Sequence, residues 1–321
     1  MRSAEKNSGG PRVVIDETSF DFRGLSDALI ERHLDELNET LRTLRADSGP
    51  EIACAPMWEA VKCLDDCELY QFLCGEYPSG VDRDTRLLSH LHLSRCPEWD
   101  DVPDVDAPVS IDGGEPVLAF SVAYALSMIT ARYGVACLVF PGSTRRGYIV
   151  VHGRHDAGDV FFFYDPAELP AFWRRLFALE NVPEPDFFEL AGRAFPNLVL
   201  HAGLSFGRLD GSYTELRVKV VSTLAALNDR FIDEYRRCKG VPSEIQAALG
   251  RYHIDLSPES PNTRRSRQLM RLRDVSHNGH IFRCEWHAKL ERHRNRIHFS
   301  EPSEILEGKI FIGIFVTHLD T

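Results

Sequence analysis

Near the C-terminal end of the sequence, residue types alternate in a way that would gather chemistry on one side of a strand. From Ile281 to Leu290 the even positions are Phe282, Cys284, Trp286, Ala288 and Leu290, and the odd positions from Arg283 are Arg283, Glu285, His287 and Lys289. Successive side chains of a strand point to opposite faces, so this pattern predicts one core face and one wet face. Arg294, Arg296 and His298 repeat it, opposed by Ile297 and Phe299. If the strands pair in order, Arg283, His287, Lys289, Arg294, Arg296 and His298 share a face with Glu285 as its one acid. Like charges directly opposite each other repel, so such a face asks for an anion. Phosphate suits it, because Arg binds phosphate bidentately and Lys and His donate to it. Histidine also titrates near neutral pH and can act as acid or base. Metal-independent cleavage of RNA needs a base for the ribose 2′-OH, an acid for the leaving 5′-oxygen and cations around the phosphoryl oxygens. His287 and His298 are the expected acid–base pair, with Lys289, Arg294 and Arg296 as phosphate ligands and His318 in reserve. The alternative is a solvated strand face beside an acidic body.

A second basic run precedes this segment. Arg264, Arg265, Arg267, Arg271 and Arg273 follow Asn262, a suitable helix N-cap. With Arg283 they are the expected nucleic-acid contacts, positioning a phosphate backbone without reading sequence. A surface helix that neutralises the rest of the chain is the alternative. The net charge of −11 hides the contrast: residues 261–321 hold 11 Lys+Arg against 7 Asp+Glu, and the other 260 hold 26 against 41. An acidic body with a basic end points to a local anionic ligand.

The stretch EWHAKLERHRNRIHF, a short loop and GKIFIGIFVTHL resemble the closing strands of the RelE/HigB group of bacterial toxins. The resemblance covers about 40 of the 321 residues. It implies a small antiparallel sheet carrying the Arg, Lys and His residues of a metal-independent endoribonuclease, with RNA as substrate and an antitoxin or other protein as partner. The chain as a whole is similar to uncharacterised actinobacterial proteins, some in phage-defence gene neighbourhoods, which implies a bacterial setting in antiviral defence.

Other constellations are weaker. Cys63, Cys67 and Cys74, with His90, His92 and Cys96 downstream, could in principle hold zinc, but their apolar-periodic surroundings read more simply as buried thiols on a helix. Asp16 ends the strand-like VVI, superficially as in PIN-type nucleases, whose metal needs several converging carboxylates; Glu59, Asp82, Asp84 and Asp100 are the candidates. Acids after a strand are more often turn formers or caps. The sequence has no phosphate-cradling Gly-rich loop, H-E-x-x-H or G-x-S-x-G, so neither a bound cofactor nor a metal is expected.

These residues need elements to position them. Hydrophobic residues make up 43% and charged ones 26% of the chain, enough for a real core. The polar start MRSAEKNSGGPR carries no signal-peptide pattern and no apolar run is long enough to span a membrane, so a cytoplasmic protein without membrane partners is expected. Helical periodicity from Leu25 to Leu44 and shorter helices from Met57, Glu68 and Asp84 make residues 1–96 a mainly helical region. The Pro- and acid-rich stretch 97–116 reads as a linker. Residues 117–204 read as a small α+β region: a helix from Val117, strands at 135–140, 148–152 and 160–164 forming a small antiparallel sheet, a helix at 172–179 and a strand at 197–201. In 205–321, the capping box Ser212-x-x-Glu215 starts a helix running to about Cys238, a second runs from Ser243 to Leu249, and the β-meander closes the chain. The expected class is α+β. The expected function is a RelE-like endoribonuclease or toxin-type effector, or else a non-catalytic nucleic-acid- or partner-binding subunit of a defence or regulatory complex.

Overall fold

Val13, Val14 and Ile15 have no appreciable exposure, as three consecutive apolar residues require when both faces of a strand are covered. A computed structural model describes residues 12–46, 50–100, 105, 108–131, 133–179 and 182–319. The polar N-terminal stretch and most of 101–107 lie outside the described residues. The protein is α+β, and its chain divides into two units, Met1–Phe172 and Trp173–Thr321.

Unit 1 is built on β1 (Val13–Ile15), α1 (Asp27–Arg45), β2 (Ile52–Ala53), the hairpin β3 (Lys62–Leu64) and β4 (Cys67–Glu68), α2 (Leu69–Leu73), α3 (Arg83–Ser94), β5 (Pro108–Ile111), β6 (Val117–Leu118), α4 (Phe120–Thr130), β7 (Ala136–Leu138), β8 (Gly147–His152) and β9 (Ala157–Phe163), followed by α5 (Leu169–Leu179), in which the division between units falls. Seven strands form one sheet in the order β2-β1-β7-β9-β8-β5-β6. Its β2-β1-β7-β9 part is parallel and the remainder antiparallel. Three expectations are corrected here. The N-terminal region is not separate from the middle one, because β1 and β2 complete the sheet that β7 to β9 begin. The expected linker contributes β5 to that sheet, since Val109 buries itself in the core despite its polar neighbours. The middle sheet is mixed rather than antiparallel. The thiols of Cys63 and Cys67 are buried as expected, but in the β3–β4 hairpin and not on a helix.

Unit 2 comprises α6 (Glu184–Ala194), β10 (Leu198–Leu200), α7 (Tyr213–Ala226), a wider helical turn over 227–231, α8 (Ile232–Arg237), α9 (Pro242–Gly250), β11 (Leu256–Pro258), α10 (Pro261–Arg265), α11 (Arg267–Arg271), β12 (Asp274–His277), β13 (His280–Arg283), β14 (Trp286–Lys289), β15 (Arg296–Phe299) and β16 (Ile310–Val316). Five strands pair in the order β10-β16-β15-β14-β11. The β14, β15 and β16 strands are adjacent and antiparallel, and β10 adds a parallel edge to β16. The capping box at Ser212 forms as its spacing predicts: the Ser212 hydroxyl accepts from Glu215 N–H and the Glu215 carboxylate from Ser212 N–H. Phe231, in the wider turn, packs edge-on against Trp286 and Phe299 with ring centroids 5.4 and 5.0 Å away. That contact covers the apolar side of the β14–β15 pair.

The ten-residue alternation is not one strand. Residues 280–283 pair back with 274–277 across an Asn278-Gly279 turn whose two residues both have positive φ. This is the geometry of a two-residue hairpin, and its Asn-Gly signature stands in the sequence. The hairpin lies on the sheet where Gly313 gives it room: a Cβ there would overlap Cys284 Sγ and crowd Val275.

Candidate functional site

Register builds the site. Across β14 and β15, His287 stands opposite His298 and Lys289 opposite Arg296. The intervening pairs, Trp286 with Phe299 and Ala288 with Ile297, are fully buried on the other face. On the outer side Ser257 of β11 pairs with His287, and on the inner side Ile314 of β16 pairs with His298. Four of the five expected catalytic residues are therefore brought to this strand pair or its face; Arg294 stands in the connection between the strands.

The face is not wet, as its alternation suggested. After β11 the chain continues the pairing through a bond from Glu259 N–H to the Glu285 carbonyl. Glu259 and Arg273 are both buried, and Arg273 Nε donates to Glu259 Oε1 at 3.0 Å. The His298 side chain has no exposure and that of His287 only 12%. Glu259 Oε1 lies 3.8 Å from His287 Nδ1 and 3.7 Å from His298 Nδ1, beyond hydrogen-bond range. The two imidazole centroids are 5.2 Å apart. His287 Nε2 meets Ser257 Oγ at 3.1 Å, while His287 Nδ1 and both ring nitrogens of His298 have no hydrogen-bond partner. Burial, then the positive charges of Arg296 and Lys289, push His287 down to about 4. Burial, then His287 and Arg273, push His298 down to about 3. Both rings are neutral at pH 7.

The cations are mostly answered within the chain. Lys289 Nζ is 2.9 Å from Asp255, Arg283 Nε 2.8 Å from Asp274 and Arg264 3.1 Å from Glu285. Arg294 bonds Glu291 and Asp210. The demand for an external anion that the sequence pattern raised is thus largely met by Asp210, Asp255, Asp274, Glu285 and Glu291. Arg296 keeps a buried Nη1 without a hydrogen-bond partner. The first four arginines of the basic run fall in α10 and α11, capped by the Ser260 and Ser266 hydroxyls and not by Asn262, whereas Arg273 lies beyond them and, buried against Glu259, is not the exposed nucleic-acid contact expected of it. Arg265, Arg267 and Arg271 on these helices are exposed, and among the described residues no carboxylate pairs with them. Glu259 and Ser257 escaped sequence reasoning because nothing local marks them: their partners are 14 to 39 residues away along the chain.

The other constellations stay apart. Asp16 is buried, accepts from Thr18 N–H at 3.0 Å and is paired with Arg145. Asp82 caps α3 at Thr85, and Glu59 contacts His90 at 3.3 Å. Burial, then the neighbouring Cys67, pushes the Cys63 thiol up to about 12. Among the described residues, one group has the donor types and spacing of a metal centre, and it is Glu259, His287 and His298. Among them, too, no helix is long and apolar enough to cross a membrane. Comparison with protein families, curated proteins and solved structures gave no match.

Proposed function

We propose that unit 2 is a non-catalytic nucleic-acid-binding module that holds an RNA backbone through α10 and α11. The observation that carries this reading is the exposure of Arg265, Arg267 and Arg271 on two adjoining helices, with no carboxylate pairing with them among the described residues, where Arg264, Arg283, Lys289 and Arg294 are all paired. An exposed guanidinium with no internal anion keeps its full charge for phosphate. Such contacts set affinity and register without base specificity.

The endoribonuclease reading draws support from one observation, the cross-strand juxtaposition of His287 and His298. A concerted acid–base pair needs one imidazole protonated near neutral pH, whereas burial and neighbouring cations keep both neutral. The side chains also lack the exposure to reach a phosphodiester. Binding without cleavage is the better-supported function.

Single-stranded RNA binding measured across a salt series is the test. Three phosphate contacts should give a slope of log K against log salt of about −2, at roughly −0.7 per contact. Arg265→Ala/Arg267→Ala/Arg271→Ala should bring that slope close to zero, with the RNA intact after incubation in EDTA. A triple variant that binds as wild type removes the reading. Cleavage in EDTA that leaves a 2′,3′-cyclic phosphate and vanishes in His287→Ala would establish the nuclease instead.

A further inference from the structure

A buried imidazole with no hydrogen-bond partner calls for explanation, because it bears its desolvation cost without compensation. His298 makes no hydrogen bond of ordinary geometry at either ring nitrogen, the Cys284 backbone being its one nearby polar group to favour the charged ring, and its side chain has no exposure at all. His287 shows it at Nδ1, on the side facing the same carboxylate.

We infer that Glu259, His287 and His298 form a binding site for one divalent transition-metal ion of the zinc class. Their ligand atoms all lie within 4.8 Å of one another. Glu259 Oε1 is 3.8 and 3.7 Å from the two Nδ1 atoms. Ligands that share one ion at about 2.0–2.2 Å must stand roughly 3–4 Å apart, the range into which these separations fall, and too near for an intervening side chain. Two imidazoles and a carboxylate suit zinc, cobalt, nickel or ferrous iron, whereas magnesium and calcium prefer all-oxygen shells.

Supporting groups are in place around the ligands. Ser257 Oγ, 3.1 Å from His287 Nε2, can accept a hydrogen bond from Nε2–H, which leaves the Nδ1 lone pair directed at the cluster. Arg273 Nε donates to the same oxygen, Glu259 Oε1, at 3.0 Å and fixes its position. This guanidinium adds positive charge that one carboxylate does not balance against a dication. The fourth position therefore favours an anionic ligand such as hydroxide over neutral water.

The ligands come from β14, from β15 and from the segment between β11 and α10. An ion there would fasten that segment to the sheet and so hold the two arginine-bearing helices in place. The inference does not depend on RNA binding: it rests on ligand atoms that none of the arginines supplies.

The full chain, stripped with EDTA and dialysed, would be titrated with zinc chloride by calorimetry and with cobalt chloride by visible absorption. One equivalent should bind, the thermal midpoint should rise, and cobalt should show a d–d band without thiolate charge transfer. Glu259→Gln and His287→Gln, chosen to keep size and polarity, should weaken zinc by more than the roughly 10–100-fold typical of losing a supporting partner, and Ser257→Ala should fall within that range. Circular dichroism would check that each variant is folded. No bound zinc or cobalt in the wild type overturns the inference, as does thiolate charge transfer, which would place the metal on cysteines. Should a variant fail to fold, the wild-type stoichiometry and cobalt spectrum decide alone. An RNA-binding defect in the arginine variant leaves these outcomes unchanged, so the two readings fail separately.

Discussion

Glu17 shows how strongly a single buried carboxyl can tie stability to pH. It follows Asp16 at the end of β1, and its carboxylate accepts from Ser121 N–H at 3.3 Å. Burial, then the Asp16 carboxylate, raise it from 4.5 to about 7. Between those two values the folded chain keeps a proton that the unfolded chain has released. Stability therefore falls as pH rises from about 4.5 to about 7 and stays at the lower level above. Glu17→Gln mimics the protonated form. It should stabilise the protein by on the order of 2 kcal/mol at pH 8 and by almost nothing at pH 4, measured by urea denaturation at both. An equal gain at the two pH values would show that ionisation of Glu17 is not the cause. The same physics at His287 and His298 was hidden in the sequence. Alternation assigns a side chain to a face and says nothing about what later covers that face.

At the level of elements, the cover is a hairpin and two short helices, and a glycine decides whether the hairpin fits. Gly313 lies in β16 beneath Cys284, and a Cβ at that position would overlap Sγ. Gly313→Ala should cost about 1–3 kcal/mol as an overpacking change. Adding Cys284→Ala removes the overlapping sulfur and should recover part of the loss, giving a favourable coupling of at least about 0.5 kcal/mol in a double-mutant cycle. Additive losses would mean that the sheet adjusts elsewhere. Elements with strong local signals were legible: α1 from the recurrence of Leu34, Leu37, Leu41 and Leu44, α7 from Ser212 and Glu215, and the three adjacent antiparallel strands from alternation in the first two and the apolar run of the third. Two were not read. The β12–β13 hairpin was announced only by Asn278-Gly279 inside what looked like a single strand. Helix α6 keeps three buried residues, Phe187, Ala191 and Ala194, behind a first turn with Pro185 and two acids.

For the whole molecule, the charge contrast follows the division of the chain. Residues 1–172 hold 15 Lys+Arg against 29 Asp+Glu, a net of −14, and residues 173–321 hold 22 against 19, a net of +3. Their difference is a long-range repulsion and attraction acting on one polyanion. A fragment of residues 169–321, which keeps α5 whole, should bind RNA at least as tightly as the full chain at low salt, and the two affinities should converge as salt screens the acidic unit. Weaker binding by a folded fragment, checked by circular dichroism, would mean that unit 1 contributes contacts of its own.

The parallel pairing of β10 with β16 has a consequence in time. Leu198 pairs with Ile310 and Leu200 with Ile312, so the edge strand waits for a partner made much later. Of the described strands in that sheet, the last to be synthesised is also a central one, bonded on both sides. During translation β10, β11, β14 and β15 emerge before the strand that joins β10 to the others exists. Unit 2 must then complete its sheet after nearly all of its described residues have been made, whereas every described strand of unit 1 is already available. Such non-local closure is slow and leaves apolar edges exposed while it waits. The protein is expected to depend on chaperones during that interval more for its second unit than for its first.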